Sequence, residues 1–326
     1  MSTESEAYFK HEDGSYIAAD ASDRVPFSWA MLIYRVVVQV TLNIPNLVKD
    51  FIKLYIWAPR KSVRGCVALV SGGGNGLGRA LCLRLAQEGC KVAVADIDLK
   101  SAIKTAEEIR TTGMQAEAFK VDVSVLKSVK RLKNDVEARF GPVDILVNNA
   151  GLLAISHLSE GSAEDVQRIL NVNLASHFWM IREFKPGMLQ GNGGHIVGIS
   201  SVLGYIPNYR TIAYSATKFG IRGMMESLGD ELYISGNSGK VFTTCVYPSL
   251  LATRKDFMKM INDMGIMQES MSPKQAADIV VDGVLRNRSE IILTSLPMRF
   301  LIKMHVFCPT RIRRIFTECI CKNTDK

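Results

Sequence analysis

The sequence predicts an α/β fold: one domain on a doubly wound parallel sheet of about seven strands, preceded by a separate helical segment. Three observations predict it. Short apolar runs bounded by turn residues alternate with helical patterns through most of the chain. The first of those runs ends in a glycine-rich turn that opens a helix. Ahead of it lies an apolar stretch with polar residues four apart, which belongs to no strand–helix repeat.

Taken in order, residues 1–27 are polar and acidic (Glu4, Glu6, Glu12, Asp13, Asp20, Asp23), a composition that predicts disorder. Residues 28–60 form the separate segment. Trp29 to Ile44 is apolar, with Arg35, Gln39 and Asn43 making one narrow polar stripe. Pro45 is expected to interrupt, and Asn46 to Trp57 resumes with Asn46, Asp50 and Lys53 near one face. No basic start or small-residue cleavage site marks a secretory signal. The apolar run is shorter than the ~20 residues a simple spanning helix needs, and Arg35 sits inside it. The reading is an interfacial or hairpin anchor on a membrane, its basic flank in the cytosol. The alternative is two amphipathic helices packed on the chain's own surface.

Residues 61–296 carry the repetition. Strands are predicted at Val67–Val70, Val92–Ala95, Ala116–Val121, Ile145–Val147, His195–Ile199, Val241–Val246 and Ile291–Thr294. Helices are predicted at Leu77–Glu88, Leu99–Thr111, Val125–Phe140, Ala163–Phe184, Ala213–Tyr233 and Pro273–Arg286. Such alternation makes a parallel sheet covered on both faces through right-handed crossovers, with ligands outside the carboxyl ends of the strands. The tail, 297–326, mixes Phe300, Leu301, Ile302, Val306, Phe307, Ile312, Ile315 and Phe316 with basic residues. A second membrane contact and a helix covering the fold suit it equally.

Chemistry concentrates in a few places. Val67–Val70 leads into Ser71-Gly72-Gly73-Gly74-Asn75-Gly76-Leu77-Gly78. Glycines let a pyrophosphate approach the backbone, and a helix N-terminus offers it unpaired N–H groups. A second strand ends in Asp96, about 20 residues on, where an acid would hold a ribose diol. Tyr214 and Lys218 stand four apart, on one face of a helix. A free phenol ionises near pH ~10; a lysine cation beside it is expected to lower that and make the tyrosine a proton carrier at neutral pH. Ser201, upstream, follows the strand His195–Ile199.

With Asp122-Val123, Asn148-Asn149-Ala150-Gly151, Asn171-Val172-Asn173 and Pro248-Ser249-Leu250-Leu251-Ala252-Thr253, the chain resembles a short-chain dehydrogenase/reductase over roughly residues 63 to 295. Within that family it is most similar to the membrane- and lipid-droplet-associated branch, which holds epidermal retinol dehydrogenases and hydroxysteroid dehydrogenases of types 11 and 13. The N-terminal segment and Pro59 to Gly65 carry that finer likeness. The resemblance implies a Rossmann-type fold and a catalytic set of Asn173, Ser201, Tyr214 and Lys218, with Ser201 and Tyr214 on the substrate oxygen. Asn173 would hold a water that relays a proton from Lys218, and Lys218 would bind the nicotinamide ribose. The cofactor would be held by Gly72, Asn75, Gly76, Leu77, Gly78, Asp96, Asp122, Val123, Asn148, Asn149, Ala150, Gly151, Tyr214, Lys218, Pro248 and Thr253. Asp122 would touch the adenine. Ser249 departs from the glycine usual at that place, which alters the expected loop over the nicotinamide. Asp96 would repel a 2′-phosphate, and Ile97 and Asp98 supply no cation to rescue one, so NAD is favoured over NADP.

Composition narrows the rest. Apolar residues are 47% of the 326, ample for a packed core. Seven cysteines without a spacing pattern read as buried thiols in a reducing compartment, not a disulfide framework. His11, His157, His177, His195 and His305 form no zinc spacing, so no metal is expected. The net charge of +8 clusters beside apolar segments, at Lys49, Lys53, Arg60, Lys61 and Arg64 and again at Arg299, Lys303, Arg311, Arg313 and Arg314. No nucleic-acid motif accompanies these cations, so the expected partner is a membrane or lipid-droplet surface. The branch implies the endoplasmic reticulum or lipid droplets, with the catalytic domain facing the cytosol, and the family implies a homodimer. Met258, Met260, Met264, Met267 and Met271 suit an adaptable apolar pocket or plain helix packing. Leu152, Leu153, Val202 and Leu203 would add apolar lining. The expected substrate is a lipophilic alcohol or its carbonyl: retinoid, steroid or fatty alcohol. The alternatives are an NADP-linked lipid carbonyl reductase and a membrane scaffold retaining the fold.

Overall fold

The computed structural model describes residues 28–55, 58–153, 161–251, 270–305 and 307–321. The acidic stretch 1–27, Thr253 and the methionines from Met258 to Met267 lie outside them. The chain forms two units, Met1–Trp57 and Ala58–Lys326.

In the first unit, α1 runs unbroken from Trp29 to Tyr55 through Pro45. The expected interruption is absent, because an internal proline removes one hydrogen bond and bends a helix without having to end it. Asn43 donates to the carbonyl of Gln39, 2.8 Å away, along the polar stripe. Trp29, Ile33, Val37 and Leu42 are each more than half exposed. No helix among the described residues is long and apolar enough to cross a membrane.

The second unit is built from β1 (Val67–Ser71), α2 (Gly76–Gln87), β2 (Lys91–Asp96), α3 (Leu99–Thr111), β3 (Ala116–Lys120), α4 (Leu126–Phe140) and β4 (Ile145–Asn148). There follow α5 (Ala163–Leu170), a π-helical turn (Asn171–Ala175), α6 (Ser176–Gln190), β5 (Gly194–Ile199), a 3₁₀ turn (Val202–Gly204), α7 (Ile212–Ile234) and β6 (Val241–Pro248). A two-residue pair, β7 (Leu250–Leu251) and β8 (Ser270–Met271), precedes α8 (Pro273–Leu285), β9 (Glu290–Leu293), α9 (Leu296–His305) and α10 (Thr310–Cys321). Seven strands lie parallel in the order β3-β2-β1-β4-β5-β6-β9.

Alternation along β1 explains the layers. Ala68 and Val70 pack beneath α2, α3 and α8, whereas Val67 and Leu69 pack with α4, α6 and α7 on the other face. The order reverses between β1 and β4, opening a crevice at the carboxyl ends of those two strands.

One predicted helix differs in kind. Ala163–Phe184 is three pieces, α5, the π turn and α6, and α6 continues through Pro186 to Gln190. A π turn adds a residue to one helical turn, which a 3.6-residue apolar repeat does not reveal. It leaves Asn173 wholly buried.

Candidate active site

Gly72 begins the turn after β1 with φ +66°, a conformation glycine adopts without a Cβ clash. A Cβ on Gly78 would lie 1.9 Å from the Gly72 carbonyl oxygen, so helix and turn touch because neither residue carries a side chain. Asn75 caps α2 in an extended conformation without a side-chain hydrogen bond to it. The first-turn N–H groups of Gly76, Leu77 and Gly78 therefore have no side-chain partner from their cap, an arrangement suited to an anion. Beside them Asp96 accepts from Gly74 N at 2.9 Å and from Asp98 N at 3.0 Å. The carboxylate is thus pinned against the glycine turn. A helix start without a side-chain cap bond, a glycine turn and an acid at the next strand end fit a dinucleotide.

The motif after β4 braces this turn. Asn149 Nδ2 donates to the carbonyls of Ser71 (3.0 Å) and Gly72 (3.2 Å), and the N–H groups of Asn149 and Ala150 donate to Ser71 Oγ. Asn148 is buried, and neither its Nδ2 nor its Oδ1 has a partner among the described residues. Asp122 accepts from Ser124 N (3.0 Å) and Ser124 Oγ (2.6 Å), so its carboxylate shapes the start of the segment leading to α4; Val123 is buried. Pro248 ends β6, and its carbonyl lies 3.4 Å from Ser201 Oγ.

The four expected catalytic residues come from three elements. Ser201 follows β5, Tyr214 and Lys218 lie on α7, and Asn173 lies on the π turn. The Ser201 hydroxyl faces the Tyr214 phenol and favours its ionised form. Lys218 Nζ donates to the Ile199 carbonyl at 2.9 Å and lies 5.4 Å from the centroid of the Tyr214 ring. A Cβ on Gly151 would sit 3.6 Å from Asn173 Oδ1 and 3.8 Å from Lys218 Nζ, so those groups converge where Gly151 presents only backbone. The Asn173 carboxamide is committed to Leu152: Oδ1 accepts from its N–H at 2.7 Å, and Nδ2 donates to its carbonyl at 2.8 Å. Any water held for Lys218 must therefore share Oδ1 or use main-chain groups.

The electrostatics correct one expectation. Tyr214 is not lowered: desolvation pushes its phenol up to about 12, opposed only by the Ser201 hydroxyl. The same burial lowers Lys218 to about 8, which still leaves it largely cationic at neutral pH. Desolvation outweighs the lysine's field, since Nζ turns toward the Ile199 carbonyl.

Three supporting residues were not foreseen. Ser200 Oγ donates to the Lys218 carbonyl at 2.8 Å; Thr217 Oγ1 donates to the Tyr214 carbonyl at 2.6 Å and faces Asn173 Nδ2 at 3.4 Å. His177, one turn beyond Asn173, is buried with no partner for Nδ1 among the described residues, and burial followed by the Lys218 charge holds it down at about 3. The serine pair and the Ser-Ala-Thr inside Tyr214–Lys218 were visible signals for the first two. His177 had none.

Known proteins match this picture. The family model described as short chain dehydrogenase matches residues 66–261. Estradiol 17-beta-dehydrogenase 11 from Pongo abelii is 30% identical over 290 residues, 88% of this chain and 95% of that protein. The 17-beta-hydroxysteroid dehydrogenase 13 of Rattus norvegicus is 31% identical over 285 residues, 86% of this chain and 92% of that one. A metagenomic short-chain oxidoreductase solved with NADP superposes with TM-score 0.61 at 28% identity, covering 72% of this chain and all of that one. A short chain dehydrogenase/reductase from Burkholderia phymatum solved with NAD shares the fold, with TM-score 0.68 at 24% identity, over 76% of this chain and 94% of that one. With the glycine turn, the seven-stranded sheet and matches of this extent, the chain belongs to the short chain dehydrogenase family of oxidoreductases acting on CH–OH groups.

Proposed function

We propose that the chain is an NAD-dependent dehydrogenase of lipophilic alcohols, working at a membrane or lipid-droplet surface of the endoplasmic reticulum system, as a homodimer. The observation that carries the chemistry is the convergence of Ser201, Tyr214, Lys218 and Asn173 beside the glycine turn. The nicotinamide, when bound, supplies the hydride acceptor at the carbinol carbon. The chain does the rest. Ser201 holds the substrate oxygen, and Tyr214 exchanges a proton with it. A phenol with its pKa near 12 is protonated at neutral pH, so in reduction it donates directly to a carbonyl oxygen. In oxidation its proton must first leave past Lys218, whose charge favours the phenolate. Gly72, Asn75, Gly76, Leu77 and Gly78 would hold the pyrophosphate, and Asp96 the adenine ribose. Asp122, Val123, Asn148 to Gly151, Pro248 and Thr253 would complete the cofactor contacts.

The names of the relatives support a lipophilic substrate. So do Leu152, Val202 and Leu203, which are only half-buried beside the catalytic residues. The exposed apolar side chains of α1 support the membrane, and Ile212 and Phe219, exposed on α7, support pairing of two copies. The deciding experiment supplies detergent-solubilised protein with NAD or NADP and with retinol, a steroid alcohol or a fatty alcohol. Reduced cofactor should form with NAD and vanish in Tyr214→Phe. Faster turnover with NADP would select the lipid carbonyl reductase. Cofactor binding without turnover on any of the three would point to a substrate outside these classes or to the scaffold.

A further inference from the structure

Helix α9 (Leu296–His305) carries apolar residues on two faces. Ile302 is 2% exposed and packs with Met298 into the cluster beneath the sheet, so one face is already used. On another face Leu296, Phe300 and Met304 recur every fourth residue and are 78%, 65% and 42% exposed. The run continues through Phe307 in the turn that follows, and through Ile312 and Ile315 on α10 (Thr310–Cys321), all more than half exposed. Single exposed apolar residues are ordinary, but a row of them along two consecutive helices is not.

The charges beside this row have one sign. From Ile291 to Thr317 there is no acidic residue, while Arg299, Lys303, Arg311, Arg313 and Arg314 are cationic. Lys303 is tied to Glu290 at 2.8 Å, and Arg299 Nε to the Thr294 carbonyl at 3.0 Å. On α10, at 3.6 residues per turn, Ile312 and Ile315 share an edge that Arg311 and Arg314 border, with Arg313 opposite. All three arginines are exposed.

We propose that α9 and α10 form a second lipid-docking surface, on the catalytic unit itself, which inserts Leu296, Phe300, Met304 and Phe307 into the headgroup–acyl boundary of an anionic phospholipid surface. The arginines then meet phosphates and carboxylates at headgroup level. Large apolar residues interleaved with cations, without an acidic residue from Ile291 to Thr317, match an anionic lipid interface. The proposal rests on the membrane part of the reading above and deepens it. A substrate drawn from the lipid would reach an enzyme held at two points, not tethered by α1 alone.

Amide hydrogen exchange on the full chain tests this. It is recorded without lipid, with phosphatidylcholine vesicles, and with vesicles containing about 30% phosphatidylserine. Docking suppresses local opening of an exposed helix, so amides of 296–315 should slow about tenfold or more on the anionic vesicles and much less on neutral ones. The double variant Phe300→Glu, Phe307→Glu should abolish that slowing while leaving the slowing of 29–55 and the protection of the sheet strands unchanged. Unchanged exchange at 296–315 on vesicles that do slow 29–55 would overturn the proposal and leave the membrane reading standing. If neither segment slowed, both would fall. Equal slowing on neutral and anionic vesicles would overturn the anionic assignment. Slowing without lipid that grows with protein concentration would make this face a contact between copies, which also overturns it.

Discussion

Strand β5 meets a lysine at each end, buried Lys218 and half-buried Lys61. At the carboxyl end Lys218 donates to the Ile199 carbonyl; at the amino end Lys61 Nζ lies 2.8 Å from His195 Nδ1. Burial lowers both lysines to about 8. Their surroundings differ. Thr244 Oγ1 donates to the Arg288 carbonyl (2.6 Å), so it accepts from His195 Nε2 (2.7 Å), which leaves Nδ1 to accept from Lys61. Both ring nitrogens of His195 and the Thr244 hydroxyl thus have partners, and the Lys61 backbone N–H donates to the Leu285 carbonyl. At the other end, Lys218, Asn173 and the phenol of Tyr214 converge beside a glycine that presents no side chain. A perturbed lysine therefore does not mark a reactive site by itself; the distinction lies in whether its neighbours leave room for something else to bind.

This comparison can be broken at either end. Tyr214→Phe should lower kcat/KM by about 10²–10⁴ while cofactor affinity, read by titration calorimetry, stays within a few-fold. An unchanged rate would remove Tyr214 from the chemistry. A smaller but still large effect is expected at the glycine turn. Gly78→Ala places a methyl 1.9 Å from the Gly72 oxygen, so the turn must shift. We expect cofactor affinity to fall at least about tenfold and stability by about 1–3 kcal/mol, measured by calorimetry and denaturant unfolding.

At the amino end, Lys61→Met should leave kcat within about twofold yet destabilise by about 1–3 kcal/mol, because His195 Nδ1 loses its partner. A kcat collapse without unfolding would mean the two ends of β5 are coupled. The smallest effect is a pH dependence. A lysine at about 8 when folded and 10.5 when unfolded makes the unfolded chain bind more protons between those values, so its contribution to stability rises with pH there. Cys66, Cys90 and Cys245 are raised by burial and act the other way above pH 9. Comparing wild type with Lys61→Met removes most of their effect. Between pH 8 and 10 the melting temperature of wild type should gain on that of the variant.

Local pattern made much of this legible. All seven strands of the main sheet were readable, because fully buried parallel strands such as Val67–Ser71 are continuous apolar runs. The glycine turn, Asp96 and the Tyr214–Lys218 spacing were readable because turn chemistry and helix spacing are local. The π turn was not, since its apolar residues fit an ordinary helix. Nor was the clamp of Asn149 on Ser71 and Gly72, which joins residues 78 and 77 apart. The Lys61–His195 pair is 134 apart, and in the sequence Lys61 was one cation among several.

The sequence by itself determined the strand–helix alternation, the glycine-rich turn and the Tyr214–Lys218 spacing, since each depends on residues within a turn or two of one another, while Asn173 and Ser201 came from the family resemblance. Only the tertiary structure decided which polar groups meet and which are desolvated. It pushed the phenol of Tyr214 up to about 12 instead of below its usual value, set Lys61 against His195 and left Lys218 beside the bare backbone of Gly151. Desolvation depends on everything packed around a group, and most of what surrounds Tyr214, Lys218 and Lys61 is contributed by strands and helices far away in the chain.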